Sequence, residues 1–465
     1  MTQYSAIILA AGKGTRMRSS RCKVLHQLAG KAMISHVAEA VRSSGVTEVV
    51  VVVGHQAEEV KEHLVGQDLL FALQEPQLGT GHAVAAAREF FENSTGTVLI
   101  VCGDIPLLEG ATIDRMIEYH SEGNSRLTVL TTCLENPTGY GRIVRDESDG
   151  VVRIVEETDL GPAEKAIKEI NTGIYLVDST LLFSLLDRIK PENAQSEYYL
   201  TDIVREAVRD GITVHGFLLE NSVEVTGINT RAHLATAAKV IRARIGDRLM
   251  HEGVTLLDPE SAHIDYGVEV GADTVIHPGV TLLGSTTIGQ ECVIEPGVLI
   301  KDSRVGNRVK VLLGSRIDSA EIEEDTQIGP MAHLRPESRI GKKVRVGNFV
   351  EVKKSVLGDG TKAAHLTYLG DSTIGKDVNV GCGTITCNYD GKHKHPTIIH
   401  DGCFVGSDVQ FVAPVEIGEG SLIGAGSTIT RDVPPRTLAV SRARQKNFPL
   451  RKNQGPGSSD EDKQP

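Results

Sequence analysis

Residues 270–300 read VGADTVIHPGVTLLGSTTIGQECVIEPGVLI, and an aliphatic side chain returns at every sixth position: Val270, Ile276, Leu282, Ile288, Ile294, Ile300. Two further series keep the period, Ile328, Leu334, Ile340, Val346, Val352 and then Val405, Phe411, Ile417, Ile423, Ile429. Neither the helical period nor strict strand alternation produces this spacing. It is the pattern of a parallel β-helix, in which each short strand sends one apolar residue into a narrow stacked core. Glycine follows Val270 and Ile288, and glycine or small residues suit the tight corners between strands. Lys301–Ser315 and Cys387–Pro396 break the register and are expected to bulge out as loops.

Upstream, residues 232–252 change character. Leu234, Ala238, Ile241, Ile245 and Leu249 form one apolar helical stripe, which Gly253 ends. This reads as a connecting helical arm. Before about residue 228 the pattern alternates: apolar runs at Ala6–Leu9, Val49–Val53, Val98–Val101, Leu127–Leu130 and Ile174–Val177 are separated by amphipathic stretches such as Met33–Ser43 and Ala111–His120. Short buried strands between helices predict an open, mostly parallel α/β sheet. Ligands of such sheets sit beyond the carboxyl ends of the strands, and LAAGKGTRM (9–17) and Cys102-Gly103-Asp104 both follow strands.

LAAGKGTRM is built for close approach to an anion. The spacing of Gly12 and Gly14 fits no P-loop, and Met17 stands where a dinucleotide fingerprint needs its third glycine. The physics remains: a strand feeding a glycine turn aims backbone N–H groups outward, and Lys13 and Arg16 add positive charge.

Composition bounds the partners. A chain of 465 residues calls for two or three domains. No apolar run is long enough for a membrane span and no signal segment opens the chain. Seven scattered cysteines suggest free thiols in a reducing compartment, hence a cytoplasmic protein. Cys382 and Cys387 lack the second pair a zinc site needs, and the His393/His395 pair lies in a charged loop that is a poor metal site. The formal charge of −12 argues against nucleic acid, so anionic ligands must be held by local cations. The polar tail from about Gln454 reads as disordered.

Several motifs then converge: LAAGKGTRM followed by Lys23, QLGTGHA (77–83), PTGYGRI (137–143), EINTG (169–173), HLTYLGD (365–371) and GTITCNYDG (383–391). With them the chain resembles the bifunctional bacterial N-acetylglucosamine-1-phosphate uridyltransferase/glucosamine-1-phosphate acetyltransferase family. The resemblance implies a uridyltransferase domain with a Rossmann-like sheet over 1–231 and a helical linker over 232–252. It further implies a left-handed hexapeptide β-helix acetyltransferase over 253–453, while the tail over 454–465, outside the resemblance, is expected to be disordered from its composition. It implies Mg²⁺, UTP and acetyl-CoA as cofactor and co-substrates, glucosamine 1-phosphate and N-acetylglucosamine 1-phosphate as substrates, and a homotrimer with no membrane insertion.

Residue by residue, the resemblance places the uridine nucleotide on Leu9, Ala10, Ala11, Gly12 and Gly103. Arg16 and Lys23 balance phosphate charge as diphosphate leaves, and Gln74, Gly79 and Thr80 read the uracil. Asp104 and Asn229 hold Mg²⁺, while Gly141, Glu156 and Asn171 face the sugar. In the second half His365 is the general base, oriented by Glu351. Arg335 and Lys353 clamp the sugar phosphate, and Tyr368 and Asn379 grip the sugar. Cys382, Asn388, Tyr389, Ser407, Ala425 and Arg442 contact the acetyl group or coenzyme A. Three positions depart from the family: Cys22 replaces a proline before Lys23, Cys102 stands where tyrosine or asparagine is usual, and Cys382 replaces a small alanine. Two other readings stay open: a nucleotidyltransferase with a non-catalytic regulatory β-helix, and a nucleotide-sensing assembly subunit without activity.

Overall fold

The computed structural model describes residues 3–92, 95–147 and 149–449; the tail lies outside the described residues. It divides into two compact units, Met1–Arg248 with Ile264–Tyr266, and Leu249–His263 with Gly267–Pro465.

In the first unit one sheet runs in the order His215–Leu219, Leu127–Cys133, Glu169–Asp178, Thr97–Cys102, Tyr4–Leu9, Glu48–Val53, Leu70–Leu73. Successive side chains of a strand face opposite sides, and both sides are apolar here. Ile7, Val50, Val52 and Ile100 join a core with Leu182, Leu185 and Ile203. Ala6, Ile8, Val51 and Leu99 join a second core with Ile34, Val37 and Val41 from the helix Met33–Ser43. Tyr4–Leu9 pairs in parallel with both neighbours. Glu169–Asp178 is the exception, lying antiparallel to Thr97–Cys102 and to Leu127–Cys133. A strand buried on both faces has the same apolar run in either direction, so periodicity could not reveal this reversal.

The helix Arg231–His251 buries Ala237, Ile241, Ile245 and Leu249, spaced to face one side. Arg244 docks it on the first unit, donating from Nη1 to the Leu107 carbonyl (2.8 Å) and pairing with Glu109 at 2.7 Å. No described helix is long and apolar enough to cross a membrane.

The second unit is a parallel β-helix with three walls of very short strands. Val270 pairs with Ile288, Ile276 with Ile294, and Leu282 with Ile300, so each hexapeptide residue stacks on its equivalent one coil later. The three aliphatic series are buried throughout. Lys301–Ser315 does not bulge: Val305 and Val311 continue the core, and Ile288 pairs with Val305 in a coil one residue shorter. The missing residue comes out of a corner, which leaves the apolar column intact. Cys387–Pro396 does form a loop, because Ile374 pairs with Ile399 across it.

The corners also differ from expectation. Asp273, Glu291, Arg308 and Asp325 take positive φ (61°, 56°, 56°, 60°) in successive coils where glycine or small residues were expected. Inter-coil hydrogen bonds hold them there: Glu291 N donates to Ala272 O, Arg308 N to Gln290 O, and Asp325 N to Asn307 O.

Candidate active sites

The first site forms where Tyr4–Leu9 and Thr97–Cys102 end. Gly103 N donates to the Leu9 carbonyl at 2.9 Å, tying the two following loops together. Ala10 is anchored through its N–H on Val52 O (2.8 Å), and Ala11 O accepts from His55 N (3.4 Å). Gly14 has φ 60°, and a Cβ there would lie 2.5 Å from Lys23 Cβ. Only glycine lets the turn close over the lysine. A Cβ at Gly12 would meet nothing, so its face is open.

Lys23 then reaches the centre of the site. Its ammonium pairs with Asp104 and donates to Asn229 Oδ1 at 2.7 Å. Arg16 Nη2 donates to the same Asn229 oxygen at 2.9 Å. Asn229 arrives from far along the chain because Ile228 N donates to Asp104 O at 2.9 Å. Four of the sequence candidates therefore meet at one point.

A cavity of about 430 Å³ opens beside them, lined by Leu9, Ala10, Ala11, Gly12, Lys23, Gln74, Gly79, Thr80, Cys102 and Asp104 among others. Gln74 is buried and donates Nε2 to Gly79 O (2.9 Å) and towards His82 Nδ1 (3.1 Å), so its Oε1 is the atom left to accept. Thr80 Oγ1 accepts from Leu200 N at 3.0 Å. Gly79 has φ 113° and packs where a Cβ would lie 2.6 Å from Tyr198 O.

Gly141, Glu156 and Asn171 form a neighbouring cluster. Asn171 N donates to Gly141 O (2.9 Å), and a Cβ on Gly141 would lie 3.5 Å from Glu156 Oε2. Burial raises the Glu156 carboxyl above its ordinary range against a hydrogen bond from Thr201 Oγ1 at 3.1 Å. Half-buried Cys102 lies beside Gly173, within this cluster's strand. Desolvation first, and the charge of Asp104 second, push its thiol up to about 12. At neutral pH it is no thiolate nucleophile. Cys22 is buried with φ −51°, inside the range a proline ring imposes, so the loop keeps the proline-like backbone without the ring.

Among the described residues no cluster of three or more His, Cys, Asp or Glu could hold a metal. Asp104 and Asn229 nevertheless converge their oxygens on one ammonium, close enough to share a single cation. One carboxylate and one amide suit Mg²⁺, which keeps much of its shell for water and phosphate.

In the second unit, paired strands Arg345–Lys353 and Lys362–Gly370 place Asn348 opposite His365 and Glu351 opposite Tyr368. His365 Nδ1 lies 3.0 Å from Asn348 Oδ1. Glu351 instead accepts from Arg335 Nη1 at 2.9 Å. The residue on the histidine is thus Asn348, which the sequence reading missed; the register of two strands, not any motif, reveals it.

A second missed residue is Lys394, carried by the loop Cys387–Pro396. Contact with Lys394, the like charge of that lysine, burial and Arg335 together lower the Lys353 ammonium below its ordinary range. Arg335, Lys353 and Lys394 gather here, with Glu351 on Arg335 and Asp371 acting on Lys353 as counter-charges. The loop is braced to hold Lys394 there. Tyr389 bridges to Lys394, and Asp390 accepts from His393 N and Lys392 N at 2.7 Å and lies 2.8 Å from His395 Nε2. These bonds hold the Asp390 carboxyl down at about 2. Lys392-His393-Lys394 in an acidic chain was the available signal.

The remaining candidates stack along one corner of the β-helix. Gly383 N donates to Leu366 O (2.8 Å), Asp408 N to Cys382 O (2.6 Å), and Gly426 N to Ser407 O (2.8 Å). Arg442 Nη1 donates to Ala425 O at 2.6 Å. His365, Cys382, Ser407, Ala425 and Arg442 therefore follow one another in successive coils. Gly370 leaves room where the Tyr368 hydroxyl and Asn388 approach it, and Asn388 Nδ2 donates to Asp371 at 2.5 Å. Asn379 is half-buried and pairs with Lys362 and Phe404.

Residues 5–223 match the nucleotidyl transferase family, and residues 267–302 and 396–431 match the bacterial transferase hexapeptide (six repeats). Between those two stretches lie the shortened coils and the inserted loop. The chain is 52% identical over 448 residues to the bifunctional protein GlmU of Pelobacter propionicus, covering 96% of this chain and 97% of that one. It is 48% identical to the protein of that name from Listeria monocytogenes, covering 96% and 97% of the two chains. The similarly named protein of Heliobacterium modesticaldum is 48% identical, with 98% and 100% covered.

Proposed function

The chain belongs to the family of bifunctional GlmU proteins, and from that premise we propose that its two units perform successive transfers on one sugar phosphate. The second unit acetylates glucosamine 1-phosphate from acetyl-CoA. The first joins the resulting N-acetylglucosamine 1-phosphate to UTP, giving UDP-N-acetylglucosamine and diphosphate.

Acetyl transfer needs a free amine, since an ammonium has no lone pair to attack a thioester. An amide oxygen only accepts, so Asn348 fixes the Nδ1–H form of His365 and leaves Nε2 to take the amine proton. The C–N bond then forms, the C–S bond breaks, and coenzyme A leaves as thiolate. Arg335, Lys353 and Lys394 receive the sugar phosphate. The column from Cys382 to Arg442 receives the coenzyme.

Uridyl transfer brings two anions together, so positioning and charge carry it. The nucleophile is the sugar phosphate's own oxygen. Lys23 and Arg16 steady the phosphates, Gln74 Oε1 accepts from the base, and Glu156 and Asn171 orient the sugar. Mg²⁺ would neutralise triphosphate charge when bound, held by Asp104 and Asn229. Exposed Met331, Phe349 and Leu366 on one β-helix corner support assembly into a closed trimer. Seven free thiols support a cytoplasmic setting.

The observation that carries the bifunctional reading is His365 at the head of that column, on a strand paired with the one that carries Lys353. A purely regulatory β-helix has no use for either. The test is incubation with glucosamine 1-phosphate, acetyl-CoA, UTP and Mg²⁺, omitting each in turn. UDP-N-acetylglucosamine should form only with all four. Uridyl transfer from supplied N-acetylglucosamine 1-phosphate without any acetyl transfer would leave the regulatory reading instead.

A further inference from the structure

We infer that Lys23 is an internal counter-cation that guards the metal position until nucleotide arrives. Its ammonium sits between Asp104 and Asn229, contacting an oxygen of each. Asn229 Oδ1 also accepts from Arg16 Nη2 at 2.9 Å. A carbonyl oxygen has two lone pairs, and both are taken. A divalent ion cannot bind this oxygen until at least one donor leaves. At Asp104 the ammonium already offsets the charge that would draw a divalent ion, so the two compete. The Lys23 side chain is only 12% exposed.

The two groups that block the site are also the cations best placed to meet phosphate. Nucleotide phosphates would draw Lys23 and Arg16 off Asn229, exposing both oxygens in the same movement. Gly14 fixes the pivot, since the turn packs against Lys23 Cβ and leaves the distal methylenes to swing. Metal binding thereby becomes conditional on nucleotide. This rests on the assignment of Asp104 and Asn229 as the metal pair.

The test is Mn²⁺ binding to the nucleotide-free full chain, followed by the electron paramagnetic resonance signal of the free ion. Lys23→Met should bind Mn²⁺ about tenfold or more tightly than the unaltered protein, because the competing charge is gone. Lys23→Gln is a second neutral variant expected to behave alike, and Lys23→Arg should stay blocked. Adding Asp104→Ala to Lys23→Met should abolish the gain. Equal, Asp104-dependent binding by the unaltered protein and Lys23→Met would overturn the guard while leaving the metal pair standing. No binding by either neutral variant, or a gain that survives Asp104→Ala, would also overturn it. Uridyl transfer by the unaltered protein and by Asp104→Ala, measured separately, reports whether the assignment of the pair itself stands.

Discussion

His365 Nδ1 lies 3.0 Å from Asn348 Oδ1, across two strands paired so that the residues stand opposite each other. The imidazole is therefore held by an amide, not by a carboxylate. His365→Ala should lower acetyl-transfer kcat by about 10²–10⁴-fold, the usual contribution of a placed general base. Asn348→Ala should lower it by about tenfold through loss of the tautomer and orientation. Asn348→Asp should restore much of the rate and move the acidic limb of the pH profile upward, since a carboxylate favours imidazolium. Uridyl transfer should be unchanged in all three; an Asn348→Ala enzyme with normal kcat and pH profile would refute the positioning role.

Lys394 and Arg335 outweigh the Asp371 carboxylate in lowering the Lys353 ammonium, so the site has positive charge left for an anion. Lys394→Ala should raise the KM for glucosamine 1-phosphate about 10–100-fold, the worth of a charged hydrogen bond, with a smaller effect on kcat. Steady-state kinetics varying the sugar phosphate decides it. An unchanged KM would place the phosphate elsewhere.

Asp104→Ala should abolish uridyl transfer while acetyl transfer continues, because the carboxylate belongs to the first unit alone. Product formation in separate assays, with circular dichroism to establish folding, tests this. Parallel loss of both activities in a folded protein would contradict it.

Cys22 has the backbone angle of a proline, φ −51°. Cys22→Pro should keep uridyl transfer and raise stability by about 0.4–1 kcal/mol, since the ring restricts mainly the unfolded chain. A thermal or denaturant midpoint that falls would show that the buried thiol contributes more than the lost freedom.

Burial holds the Glu156 proton to higher pH than an unfolded chain would. Folding then takes up a proton in the window above the ordinary carboxylate range, and stability falls as pH rises through it. Glu156→Gln should therefore be more stable than the unaltered protein at neutral pH, with the advantage shrinking towards acid. Denaturant midpoints at several pH values measure it; a pH-independent difference would refute the linkage.

Periodicity and turn chemistry made the architecture legible from the chain alone. The Val270–Ile300 series marks buried positions because each core residue must recur once per strand, and the glycines of LAAGKGTRM mark a tight turn, which closes at Gly14 over Lys23. Motif resemblance added Asp104 with Asn229, and His365 with the residues from Cys382 to Arg442. Local pattern reports burial, however, and says nothing about which coil lies over which. The shortened coil after Ile300 kept its core, contrary to the broken register, because a corner absorbed the missing residue. Strand register alone put Asn348 on His365 and turned Glu351 to Arg335. Folding of the Cys387–Pro396 loop alone brought Lys394 to Lys353. The periodic apolar pattern thus determined the buried columns by itself, whereas contacts between residues distant in sequence depend on coil length and loop closure, which only the tertiary structure decided.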